Sequence, residues 1–402
     1  KTHNSPLGAS QHTAVAAMAP SQCRAWVYVK TPADVAPSTK DIYELRTVDV
    51  PEMKDGTVLV RLTAIVAAPM ARTYLELPGN DTGAEELGLK RLQLGSNATG
   101  ESVAEVVETR SKKYAVGDRI WMPFNHIVEY QVLKDDGSDS PMKMPPIKLP
   151  PFVKTETLLS TLTPAAGSTA YVGVNFTDCG RPEDPACASG LAGCLSGLVR
   201  RRRQKTVLVT SAAGAVGIVA CQLYKNKGCK VIGVTSTREK ADRLLEYGCD
   251  SAIAYKSEDL NERLGQLAPE GIDVFFDNVG GAQLDAGSKH MKIRGKILSV
   301  GCTSEIDNFA TGKITGWREY HRVPARELKF EGLLMYNHQS DTRQALLGLG
   351  MMIWRGKVKP VQTIVQGGFE KWAETVDMLF DSAAFGRVIL SDTATDSKAA
   401  GA

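Results

Sequence analysis

The sequence predicts an α/β protein: a doubly wound parallel sheet joined to a β-rich, barrel-like unit. Three observations carry that prediction. Residues 205–255 read strand, glycine turn, helix, strand. From about Pro164 onward, strand-like and helix-like runs alternate, the order that builds a parallel sheet covered on both faces. From Cys23 to about Thr163, by contrast, short alternating runs follow one another without long helices, as in a small barrel.

Taken in order, residues 57–62 and 102–107 alternate apolar and polar side chains, with turn signals at Asp55-Gly56 and Gly117-Asp118. Residues 206–210 are a β-branched run suited to a buried parallel strand, and 231–235 are a second one. Between them Ala212-Ala213-Gly214-Ala215-Val216-Gly217 opens an apolar helix that ends near Gly228. Strands follow at 251–254, 272–277, 296–300 and 328–335, with helices near 258–267 and from Gly281. From about Gln339 a helix, a strand at 363–366, a helix at 369–380 and a strand at 387–390 return to the first unit. Residues 22–164 and 340–391 are thus expected to form the β-rich unit and 165–339 the parallel-sheet unit, with a cleft between them. Residues 1–21 and 392–402 are expected to be disordered tails.

At 402 residues the chain suits two domains, and a net charge of +3 gives no electrostatic case for nucleic acid or membrane binding. No apolar run approaches the length of a membrane span. Eight scattered cysteines point to reduced thiols and a cytoplasmic setting. A plastid is the alternative if the acid-free N-terminal tail is a transit-peptide remnant. Cys179, Cys187 and Cys194 lack a C-x-x-C pair and a fourth ligand, so they read as incidental cysteines of an insertion rather than a zinc site. The run Arg200 to Arg203 reads as a solvated loop end.

Chemistry concentrates at the glycine turn. Small residues there let the backbone approach a pyrophosphate, whose charge is met by free N–H groups at a helix N-terminus. Ala212 stands where the usual fingerprint has its first glycine, but the strand before and the βα unit after give the turn its context. The second strand runs into Thr235-Ser236-Thr237-Arg238-Glu239-Lys240, with no carboxylate at its tip to accept from ribose hydroxyls. Hydroxyls and two cations stand there instead, and each charge-assisted contact to a 2′-phosphate contributes on the order of 1.5–3 kcal/mol. The expected cofactor is NADPH rather than NADH.

These pieces resemble the medium-chain dehydrogenase/reductase superfamily, within it the prostaglandin reductase and plant 2-alkenal (double-bond) reductase group. The resemblance spans about residues 51–390 and rests on the AAGAVG turn, EKADRLLEYGCD, AYK and GIDVFFDNVGG. It implies a Rossmann domain beside a GroES-like domain. It also implies cofactor contacts from Ala213, Gly214, Ala215, Val216, Gly217, Ser236, Lys240, Tyr255, Asn278, Gly301, Cys302, Ser304, Leu333 and Met335. Met70, Ile306 and Leu333 would line an apolar substrate pocket. No catalytic residue is assigned, and Ser304 is only a positional candidate for a proton donor.

Three positions depart from the group's pattern. Ile306 stands where a tyrosine is usual, Ala384 where an asparagine is usual, and Ala68-Pro69-Met70-Ala71-Arg72 replaces DPYMR. In the zinc-dependent branch a Cys and a GHE segment hold the metal; here Ala68 and Gly95-Ser96-Asn97 occupy those places, so a metal-free enzyme is expected. The resemblance implies NADPH-dependent reduction of the C=C bond of α,β-unsaturated aldehydes and ketones. A quinone reductase is the enzymatic alternative, and a nucleotide-binding protein without catalysis is the alternative of another class. A homodimer acting on a small molecule is expected.

Overall fold

The computed structural model describes residues 20–31, 38–73, 75, 91–141, 143–182, 203–309 and 315–392. Among the sequence expectations, most of both tails, Cys187, Cys194 and Arg200 to Arg202 lie outside the described residues.

The chain starts with β1 (Gln22–Tyr28) paired antiparallel to β2 (Tyr43–Asp49). Strands β3 (Thr57–Val66), β4 (Thr99–Thr109), β5 (Arg119–His126), β6 (Tyr130–Lys134) and β7 (Ile147–Lys148) follow. The parallel-sheet strands are β8 (Thr206–Val209), β9 (Lys230–Thr235), β10 (Ser251–Ala254), β11 (Ile272–Asp277), β12 (Met291–Ser299) and β13 (Lys329–Gly332). The chain then adds β14 (Gln362–Gln366) and β15 (Arg387–Ser391). One sheet has the order β14-β15-β3-β4-β5-β7, with β6 on β3; the other has the order β10-β9-β8-β11-β12-β13. The second is the doubly wound order, reversing between β8 and β11, and such sheets take ligands in the crevice at that reversal.

Period-two alternation sets the two faces of the parallel sheet. Val207, Val209, Val231, Val274, Phe276 and Leu298 point to one core, shared with the helix Gly217–Asn226. Leu208, Ile232, Val234, Ile253, Phe275 and Ile297 point to the other. The neighbouring sheet closes over a separate core built on Val58, Val60, Leu62, Ala104, Val106, Trp372 and Val388.

Two expectations need correction. The helix Gln339–Trp354, expected with the β-rich unit, buries Ala345 and Leu349 fully in the core of the parallel sheet, while also lying against the segment Leu158–Leu162. Gly348 sits close to the helix Thr169–Phe176, where a Cβ would stand 2.3 Å from the Tyr171 hydroxyl. The return to the β-rich sheet therefore comes at β14. The strand placed at 328–335 is also shorter, ending at Gly332 with a last bond from Leu333 N to Ser299 O, and Leu333 and Met335 bury their side chains in that same core.

Two polar clusters tie the two chain segments of the β-rich unit together. Arg72 Nη2 lies 2.6 Å from Asp377 Oδ1, its guanidinium stacks 3.7 Å over the Phe380 ring, and Asp377 also accepts from Ser38 and Thr39. Although burial opposes ionisation, the hydrogen bonds from Thr39, Ser38 and Arg72 hold the Asp377 carboxyl below its ordinary value. A lowered carboxyl contributes stability that is full above the unfolded value and is lost as pH falls through the folded one. Asp377→Asn is therefore expected to flatten the acid limb of the stability–pH curve, measured by urea unfolding at successive pH values. The second cluster joins Glu101 on β4 to Arg387 on β15, Nη2 to Oε2 at 2.8 Å, with 2% and 5% of their side chains exposed.

Candidate functional site

The glycine turn after β8 closes on itself. Ser211 sits at φ +47°, a region uncommon for a residue with a side chain, and its carbonyl accepts from Gly214 N at 2.9 Å. A Cβ on Gly214 would meet Ser211 Oγ at 2.8 Å; one on Gly217 would meet Ser211 O at 2.2 Å and Ala212 Cα at 2.9 Å. Only glycine at 217 lets the helix Gly217–Asn226 start this close to the strand end. No side chain caps the start of that helix; Ile218 N donates to Gly214 O and Ala220 N to Val216 O, so the turn Ala213, Gly214, Ala215 and Val216 runs straight into it. Gly386 N donates to Ala213 O at 2.8 Å, so the entry to β15 touches the turn directly.

At the tip of β9, Thr235 and Ser236 are buried and the Thr237 hydroxyl accepts from Lys240 N. Arg238 is drawn away from the tip: it pairs with Asp242 at 3.0 Å and reaches Glu258 at 3.9 Å. Of the two cations at the tip, Lys240 is the one left without an ion pair among the described residues. Burial, then repulsion from Lys256 and Arg243, holds its ammonium below the ordinary lysine value. Tyr255 N donates to Thr235 O at 3.0 Å, which places Tyr255, itself 40% exposed, beside this tip.

The carboxyl ends of β11 and β12 form the next wall. Asp277 is fully buried; its carboxylate accepts from Thr210 Oγ1 at 2.7 Å and from the N–H groups of Val279 and Gly280. Burial raises its pKa against those bonds. Asn278 Nδ2 donates to Thr210 O at 2.7 Å, stapling β11 to β8, which is why a polar residue ends this apolar strand. A Cβ on Gly301 would lie 2.9 Å from Asn278 O. Thr303 Oγ1 donates to Asn278 O and Ser304 Oγ to Val279 O, so the loop after β12 is docked on the turn after β11. Cys302 and Ser304 are exposed on that loop.

The short helices Met70–Thr73 and Ile306–Phe309 pack against each other across the two units, and Met70 also packs on the core of Ala64, Val66 and Val103. Ile306 is buried. Leu333 does not join them: its side chain contributes to the core beneath Gly173. Ala384 packs on the β-rich core. Among the described residues no three His, Cys, Asp or Glu side chains are placed to hold one metal ion, and Ser96, Asn97 and Ala68 are not a zinc donor set.

Sequence reasoning missed Thr210, Asp277, Arg243, Lys256 and Gly386. The Asp-Asn-x-Gly-Gly order at 277–281 carried a signal for Asp277; the approach of Gly386 to Ala213 carried none, being fixed only by the fold. A turn that a Cβ would fill and a half-buried lysine among like charges fit a phosphate-bearing dinucleotide.

Comparison with known proteins agrees with this architecture. A family described as "Zinc-binding dehydrogenase" matches residues 215–349, and one described as "N-terminal domain of oxidoreductase" matches residues 24–139. The chain is 30% identical to prostaglandin reductase 1 of Oryctolagus cuniculus over 336 residues, covering 82% of each chain. It is 30% identical over 275 residues to a 2-alkenal reductase (NADP(+)-dependent) of Nicotiana tabacum, covering 68% of this chain and 71% of that one. In fold it is similar to CurA of Vibrio vulnificus, solved in complex with NADPH, with a TM-score of 0.75 at 20% identity, covering 92% of this chain and 99% of that one.

Proposed function

Because the chain belongs to the medium-chain dehydrogenase/reductase superfamily, in its prostaglandin reductase and 2-alkenal reductase group, we propose that it reduces the C=C bond of α,β-unsaturated aldehydes and ketones with NADPH. The observation that carries this reading is the relation to reductases of that group over most of the chain. The turn at 213–217 would hold the pyrophosphate, Lys240 and Tyr255 the 2′-phosphate, and Asn278 with the 301–304 loop the far end of the cofactor. NADPH, when bound, supplies the hydride for the β-carbon of the enone.

The chain's own residues set the rest. The 301–304 loop is fixed by Thr303 and Ser304, which gives the crevice a defined wall. Ser304 is a poor proton donor here, since its hydroxyl already donates to Val279 O. Met70 and Ile306 give the junction between the units an apolar lining suited to a lipid-like or aromatic enone. The developing enolate oxygen needs hydrogen-bond donors, and Ile306 offers none.

NADPH oxidation should be followed with a 2-alkenal, a cyclic enone and a quinone. Turnover on the first two supports the reading; turnover on the quinone alone replaces it with a quinone reductase, and turnover on none points to binding without catalysis. Ile306→Tyr adds bulk at a buried position and is expected to block large enones while barely changing short ones. Lys240→Ala is expected to raise the Michaelis constant for NADPH about tenfold or more and leave that for NADH unchanged. Since the Lys240 ammonium titrates below the ordinary lysine range, the preference of the wild type for NADPH should fade as pH rises toward that range.

A further inference from the structure

Three cations converge beside the tip of β9. Arg243 lies three residues after Lys240 on the helix Arg238–Leu244, so the two share a face. Lys256 follows Tyr255 just past β10, whose Ala254 is paired with Thr235. Asp242 is engaged with Arg238 and Glu258 with Arg263. Among the described residues none of the three cations is in an ion pair, and Lys240 feels both of the others.

Two of these cations are held by a segment that leads into β15. Lys256 Nζ donates to Ser382 Oγ at 2.8 Å, with Ser382 at φ +61°. The Arg243 guanidinium lies 3.8 Å over the ring of Phe385, which is 3% exposed and packs also on Tyr247. The next residue is Gly386, whose N–H reaches Ala213 O. Residues 382–386 therefore touch the helix after β9, the loop after β10 and the glycine turn.

We infer that Arg243 and Lys256 complete, with Lys240, a seat for the 2′-phosphate, and that residues 382–386 preset it; this rests on the NADPH reading above. Converging like charges repel, and a phosphate with nearly two negative charges and three acceptor oxygens relieves that repulsion, as a bare ribose cannot. Residues 382–386 bridge the crevice from the strand β15 of the β-rich sheet, so specificity for the phosphate is shared between the two units rather than confined to the parallel sheet. Lys256 and Ser382 are then specificity-determining residues at a distance from the glycine turn.

The test is calorimetric titration of the full chain with 2′,5′-ADP, ADP and inorganic phosphate, which needs no turnover. Lys256→Ala is expected to weaken 2′,5′-ADP about tenfold and Ser382→Ala about threefold, with ADP unchanged in both. Lys256→Gln, which keeps the length of the stem, should behave as Lys256→Ala, and unchanged unfolding midpoints would show that the variants fold. If both Lys256 variants and Ser382→Ala keep the wild-type affinity for 2′,5′-ADP, the seat is Lys240's alone and the inference fails. If inorganic phosphate binds as tightly as 2′,5′-ADP, the cluster is a general anion site and the inference fails too. A wild type that binds 2′,5′-ADP and ADP equally would instead overturn the NADPH reading on which it rests.

Discussion

Gly217→Val is expected to abolish dinucleotide binding and to lower the unfolding midpoint. Even an alanine would place its Cβ 2.2 Å from Ser211 O, and the obstacle is backbone rather than a side-chain end that can swing aside. Relief requires moving either the first turn of the helix Gly217–Asn226 or the residues 211–214, at a cost of about 1–3 kcal/mol for an overpacked core position. Either movement turns the N–H groups of the helix start away from the place where a pyrophosphate would lie. Energy transfer from the protein's tryptophans to NADPH would report the loss. A valine variant that binds NADPH as the wild type does would show that this turn is not the phosphate cradle.

Glu101→Ala is expected to destabilise the chain by about 3–5 kcal/mol, because it leaves the Arg387 charge buried without its partner. Glu101 also accepts from Trp121 Nε1 at 2.9 Å, and Arg387 Nη1 donates to Ala165 O at 2.9 Å. The pair thus joins β4, β5, β15 and the segment leading into the parallel-sheet unit. Replacing both residues together, as Glu101→Leu with Arg387→Met, is expected to restore much of the loss, since desolvation of the two charges offsets most of their attraction. Urea unfolding of the wild type, the single variant and the double variant measures this. A single variant as stable as the wild type would contradict the account of the pair.

The parallel sheet was legible because its strands are short apolar runs bounded by turn residues. The strand at 272–277 has those bounds in the structure, fixed by Gly271 at φ +86° before it and the Asn278 staple after it. The turn at 213–217 was equally legible, since small residues in that order have few other uses at a strand end. The helix Gln339–Trp354 was misplaced for a physical reason: it carries apolar residues all round, with Leu347, Met351 and Trp354 exposed, so its pattern does not say which core it joins. Leu333 and Met335 look like a strand's continuation, yet the chain bends where Leu333 drops onto the helix of Gly173. The sequence places Arg238 and Lys240 together at the tip but does not say that Asp242, one turn after Arg238, occupies it. Contacts between distant segments, such as Gly386 with Ala213 or Lys256 with Ser382, leave no local signature at all.

The most direct test of the central claim follows the label when NADPH deuterated at the hydride-donating carbon is turned over with a 2-alkenal. The expected product is a saturated aldehyde carrying deuterium on its β-carbon, read by mass and proton spectra. An allylic alcohol carrying deuterium on its carbinol carbon would contradict the claim.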